Sequence, residues 1–156
     1  MTPTRGRAVA AAALMACAAL SAAACGSGPP QIPGNRQWTD DMAFLITADP
    51  APPRARLSPD DPYAVFTVEV RDKATGQPVE GGEGRLYANT IDGAKTWDGL
   101  TPSSKPGTYT AKLKFIISGN WAMGLQFRRD STKPDSKIET MNWTQEVMGA
   151  TGEQVH

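Results

Sequence analysis

The sequence predicts an all-β protein, an antiparallel β-sandwich of about seven strands behind an export signal and a flexible tether. Three observations carry this. Apolar residues alternate with polar ones in several short runs, Phe66/Val68/Val70 and Tyr109/Ala111/Leu113/Phe115 among them. That period of two places every second side chain on one face of a strand. Glycine (15) and proline (13) are scattered between the runs rather than gathered into repeats, which suits a chain of many turns. No heptad or internal repeat competes with this pattern.

The N-terminus reads as a targeting segment. Arg5 and Arg7 stand in a short head without acids, and the 17 residues Ala8–Ala24 carry no charge. That is short for a spanning helix, which needs about 20 apolar residues, and suits the core of a signal peptide. The run closes on Ala22-Ala23-Ala24-Cys25 and is followed by Gly26-Ser27-Gly28. Small residues ahead of a cysteine resemble the bacterial lipobox, in which that cysteine is acylated and becomes the mature N-terminus. Ala22 stands where the large aliphatic residue is usual. Cys17 has the better aliphatic neighbour in Leu14, but would leave a shorter apolar core. Cys25 is therefore the expected lipidation site, with ordinary secretion after Ala24 as the competing outcome. Removal of residues 1–24 also discards Cys17, leaves no cysteine pair for an internal disulfide, and leaves the fold to stand on packing.

The remaining chain of about 130 residues is the usual size of one domain. Of 16 basic and 16 acidic residues, the loss of Arg5 and Arg7 leaves 14 against 16. Nucleic-acid binding calls for a concentrated positive field, and this chain has none. Residues 25–37 are rich in proline and glycine and read as a lipid-anchored tether. The sandwich is expected over 38–148, with a disordered tail over 149–156.

Within the sandwich, Met42, Phe44 and Ile46 share one face of the first strand, which stops at Asp49-Pro50-Ala51-Pro52-Pro53 because proline cannot donate to a ladder. The second run, Phe66/Val68/Val70, closes on turn chemistry at Asp72-Lys73-Ala74-Thr75-Gly76. Arg85–Asn89 is a moderate strand. Residues 91–106 are polar and glycine-rich, and read as a loop with one short strand near Thr96-Trp97. Tyr109–Phe115 and Trp121–Phe127, joined through Gly119-Asn120, read as a hairpin with one buried face. Residues 138–147 supply a last, weaker strand, and the only helical option is the tail after Gln145.

Three motifs carry a family resemblance over about half the mature chain. Phe66–Asp72 with Gly76-Gln77-Pro78-Val79 resembles a "strand, acidic turn, G-x-P-V" opening. Pro106-Gly107-Thr108-Tyr109-Thr110-Ala111 resembles a "P-G-x-Y-x-A" strand, and Gly119-Asn120-Trp121 a "G-x-W" strand. Together they resemble the YtkA-like and FixH-like extracytoplasmic domains, which implies an Ig-like sandwich and a role near copper handling or oxidase maturation. The departure is at Asn89–Lys95, which lacks the methionine and histidine that some members carry between their middle strands.

Candidate chemistry is sparse. The single histidine, His156, is the last residue, so a Ser–His or Cys–His nucleophile lacks a base and a Cys/His zinc site lacks ligands. Thioethers select Cu(I), which singles out Met141 and Met148, whereas Met42 and Met123 sit in core registers and read as packing. The aspartate pairs Asp40-Asp41 and Asp60-Asp61 read as turn caps rather than calcium ligands. Trp97, in a polar loop, and Trp143 are the candidate partner contacts. The favoured expectation is a non-enzymatic binding or accessory lipoprotein on the extracytoplasmic face of a membrane, anchored in the bilayer through Cys25 and meeting an envelope protein. It needs no cofactor. A Cu(I) metallochaperone using Met141 and Met148 is the alternative, and a carboxylate-based envelope hydrolase the third reading.

Overall fold

The computed structural model describes residues 34–150. The expected signal peptide, Cys25 with nearly all of the expected tether, and residues 151–156 with His156 lie outside the described residues.

Nine strands run in chain order: β1 Asn35–Trp38, β2 Met42–Asp49, β3 Ala64–Asp72, β4 Glu83–Asn89, β5 Lys95–Gly99, β6 Thr101–Pro102, β7 Thr108–Leu113, β8 Gly119–Arg128 and β9 Ile138–Val147. They form two antiparallel sheets, one in the order β1-β2-β3-β7-β6 and the other β5-β4-β8-β9. No helix occurs among the described residues, so the helical option after Gln145 is replaced by the end of β9.

Alternation decides the core. Met42, Phe44 and Ile46 of β2, Phe66, Val68 and Val70 of β3, and Tyr109, Ala111 and Leu113 of β7 are all buried. They meet Leu86 and Ala88 of β4 and Trp121, Met123, Leu125 and Phe127 of β8 from the facing sheet. Register stacks them in rows, with Ile46 opposite Val68 and Val68 opposite Tyr109. Aromatic rings then bridge the two layers edge to face: Phe44 to Phe127 at 5.6 Å, Tyr109 to Phe127 at 5.3 Å, and Phe115 to Trp121 at 5.0 Å. Such geometry sets the positive edge of one ring against the negative face of the next.

Three expectations are corrected. The hairpin predicted between Tyr109–Phe115 and Trp121–Phe127 does not form. β7 pairs with β3 and β6, β8 pairs with β4 and β9, and the chain crosses between sheets through residues 114–118. Both runs bury one face, as expected, but burial says nothing about which strand lies alongside. Within 91–106 the short strand expected near Thr96-Trp97 is β5, after a tight turn in which Thr90 Oγ1 accepts the Ala94 N–H, and a second short strand, β6, stands where loop was expected. The sandwich also begins earlier than residue 38, because Asn35–Trp38 pairs with Ala43–Ile46 as an edge strand.

The two long seams of the sandwich differ. On one side β5 is fastened to β7 of the other sheet: Asp98 Oδ2 accepts the Lys112 N–H at 2.8 Å and Thr96 Oγ1 accepts the Lys114 N–H at 3.1 Å. On the other side the edges of β1–β2 and of β9 stand apart and leave a cleft.

Candidate functional site

The open seam holds the candidate site. Its cleft of about 310 Å³ is walled by Ile46, Ala48, Pro52 and Phe66 from the first sheet and its β2–β3 loop, and by Trp143, Gln145 and Glu146 from β9, with Asn35 also in the lining. Two polar atoms in this wall are shielded from solvent and have no hydrogen-bond partner among the described residues: the indole Nε1 of Trp143 and Nδ2 of Asn35. Both are donors, since an indole N–H cannot accept and Asn35 Oδ1 is engaged by Gln37 Nε2 at 2.9 Å. A buried donor without an acceptor costs about 1–3 kcal/mol, so the cleft is a place where an incoming oxygen would be welcome.

Beyond this cleft, β9's end is clasped. The Met148 N–H donates to Pro53 O at 2.8 Å, and the Ala55 N–H donates to Met148 O at 2.9 Å, so Pro53–Ala55 runs briefly parallel to the outer side of β9.

A second surface lies on the outer face of the β5-β4-β8-β9 sheet. Trp97, Tyr87, Gly124 and Asn142 form one cross-strand row. Gly124 lets the Tyr87 ring lie down across β8, since a Cβ there would stand 2.1 Å from Tyr87 Cζ. The Tyr87 hydroxyl thereby reaches Asn142 Oδ1 at 3.5 Å, and the Arg85 guanidinium lies 5.9 Å from the ring centroid.

The candidate residues fall as follows. Trp97 is 70% exposed on β5, within a strand rather than a loop. Trp143 is half-buried on the inward side of β9, so the two tryptophans belong to different surfaces. Met141 is buried opposite Leu125 in the core. Met148 lies seven residues further along an extended chain, roughly 23 Å at 3.3 Å per residue, too far to share one ion with Met141. Met42 and Met123 are core residues as predicted. Among the described residues, no group of three or more His, Cys, Asp or Glu side chains is placed to hold a metal ion. Asn35 and Pro52 were not legible as site residues, because the polar, proline-rich segments that contain them carry no periodicity.

The strongest shift of an acidic group belongs to Asp72, at the end of β3. Arg129, just past β8, donates from Nη2 to Asp72 Oδ2 at 2.6 Å, and Thr75 adds hydrogen bonds from its N–H and hydroxyl. Together these hold the carboxyl down at about 2. The pair joins the two sheets at one end and stands apart from the cleft.

No protein-family profile and no curated protein sequence matches the chain. Solved structures do. A DUF4426 family protein from Pseudomonas aeruginosa is similar at a TM-score of 0.54 and 14% identity, over 73% of this chain and 94% of that one. A copper-bound variant of FetP from uropathogenic Escherichia coli follows at 0.52 and 11%, over 74% and 95%. A copper-bound variant of a Campylobacter jejuni protein matches at 0.51 and 7%, over 72% and 94%. At such identities the likeness is one of fold. The sandwich expected from the alternating runs is thus a known architecture, and one FetP structure is of protein recombinantly expressed in the periplasm of E. coli. These neighbours are of DUF4426 and FetP type, and the YtkA-like and FixH-like resemblance rests on the sequence motifs alone.

Proposed function

We propose that this chain is a non-enzymatic binding lipoprotein of the bacterial envelope, anchored through acylated Cys25 and serving metal handling or the maturation of a respiratory complex. The observation that carries this reading is the shared sandwich, which spans nearly the whole of two copper-bound proteins, joined here to an export signal ending in Ala24-Cys25. The cleft in the open seam supports it as the place of contact, because apolar walls with unpartnered donors suit recognition. The role is accessory rather than ion-carrying. Met141 is packed into the core, and Met148 is a strand's length away, so these two thioethers do not make a common Cu(I) site.

Two measurements test the reading. Cys25→Ser should move the protein from the membrane to the soluble exported fraction, and retention in the membrane would remove the lipid anchor. Titration of the exported chain with Cu(I) against a soft chelator should give no competition. A tight one-to-one complex abolished by Met141→Leu and Met148→Leu would instead establish the metallochaperone.

A further inference from the structure

We propose that the cleft of the open seam, together with the outer side of β9 above it, is a strand-addition site for an extended segment of a partner protein. This rests on the accessory reading and says how that partner is held.

The argument starts from the edge. Among the described strands, β9 lies at the edge of its sheet and pairs with β8 alone over Ile138–Val147. Successive residues of a strand direct their N–H and C=O groups to alternate sides. Met148 uses its outward pair to bind Pro53 O and the Ala55 N–H. Thr144, four residues earlier, has the same parity and presents its N–H and C=O to the same outer side. Among the described residues this edge is therefore covered at Met148 and engaged at Glu146, and no other strand or loop bonds it at Thr144. Edge strands in proteins are commonly short, charged, bulged or covered. β9 is ten residues long; Glu146 brings one charge to its end, and its C=O accepts Gln145 Nε2 at 2.9 Å, while Asn142 and Thr144 before it are uncharged.

The cleft lies directly inside that open stretch. Its volume of about 310 Å³ is at the lower limit of small-molecule pockets, roughly 300–1,000 Å³. The walls of Ile46, Ala48, Pro52 and Phe66 offer an apolar side chain a place to insert. Strand addition works this way, with main-chain bonds supplying affinity and pockets for alternate side chains supplying selectivity. The unpartnered atoms point to the same occupant. Trp143 Nε1 and Asn35 Nδ2 are donors, and an extended peptide brings carbonyl oxygens at regular spacing. Both atoms are shielded in the free protein, so a small swing of the indole and of the Asn35 amide accompanies binding. Their desolvation is already suffered before the partner arrives, which favours that swing.

The test uses the full exported chain carrying Cys25→Ser and a phage-displayed library of random octapeptides as probe. Selection should enrich peptides whose affinity falls at least tenfold in Trp143→Phe, which keeps the ring and removes the donor. It should fall at least tenfold in Thr144→Pro, which removes the outward N–H at a position where an edge strand tolerates proline. Lys133→Ala, in the exposed turn before β9, should leave binding unchanged. Should Thr144→Pro fail to fold, slowed hydrogen exchange of the Thr144 amide on peptide binding to the otherwise unaltered chain replaces it. No enrichment, or peptides that bind the Trp143 and Thr144 variants as well as the parent, would overturn the proposal. Membrane anchorage through Cys25 is read out separately by fractionation, so either claim can fail alone.

Discussion

Asp98 on β5 accepts the main-chain N–H of Lys112 on β7 at 2.8 Å, and this contact fastens the edge strand of one sheet to the other sheet where β7 runs on past the short β6. A side chain thereby takes the place that a further strand would have taken. With Thr96 on Lys114 it closes one seam, while the opposite seam is bridged at its ends, by Lys137 to Asp40 at 3.6 Å and by the Met148 clasp to Pro53 and Ala55, and holds the cleft between them.

Loss of that stitch should loosen the closed seam. Asp98→Ala is expected to cost about 1 kcal/mol in urea unfolding, the usual net worth of one hydrogen bond. Amide exchange at Lys112 should quicken, while exchange at the core positions Val68 and Leu125 stays slow. Unchanged protection at Lys112 would show that the contact does not hold the edge.

Tyr109 makes the most consequential buried polar contact. Its hydroxyl donates to Val79 O at 2.8 Å and accepts the Gly82 N–H at 3.1 Å, pinning the β3–β4 connection against β7. Tyr109→Phe keeps the ring and strands two main-chain groups, which should cost about 1–3 kcal/mol. A cost near zero in chemical denaturation would mean that water replaces the hydroxyl.

The cradle at Gly124 predicts a coupled pair. Gly124→Ala forces the Tyr87 ring up from β8, since the new Cβ meets Tyr87 Cζ at 2.1 Å. Overpacking of this kind costs about 1–3 kcal/mol. In a Tyr87→Ser background the same change should cost far less, because alanine is otherwise acceptable in a strand. A double-mutant cycle measures the coupling, and additive effects would refute the contact.

Acid should weaken the protein through Asp72. Its folded pKa, about 2, lies below the ordinary aspartate value of 3.8, so the folded state releases this proton more readily than the unfolded state. The stabilisation is present above about pH 4 and is lost as pH falls from there toward 2. Arg129→Ala removes the main cause of the shift. The melting temperature of that variant should therefore depend less on pH across this window than the parent's, measured by thermal scans from pH 5 to 2.

Much of the fold was legible along the chain. The inward positions of β2, β3, β7 and β8 followed from alternation, and the bounds expected for the last strand, 138–147, agree with β9. The edge strands β1 and β6 were missed because Asn35-Arg36-Gln37 and Thr101-Pro102 bury little and so show no period. Of the candidate contacts, Trp143 does line the cleft, whereas Asn35 and Pro52 join it from distant parts of the sequence and carry no local signal. Met141 and Met148 looked alike in the sequence; only the structure shows one in the core and the other beyond it.

The sequence by itself determined which side chains turn inward, because successive residues of an extended chain point to opposite faces whatever lies beside them. Tertiary structure alone decided that β7 and β8 belong to different sheets, that one seam is stitched through β5, and that the other holds a cleft between its bridged ends. Those outcomes depend on contacts between residues far apart in the chain, where loop crossings and the packing of two facing layers choose among pairings that the same alternation would allow.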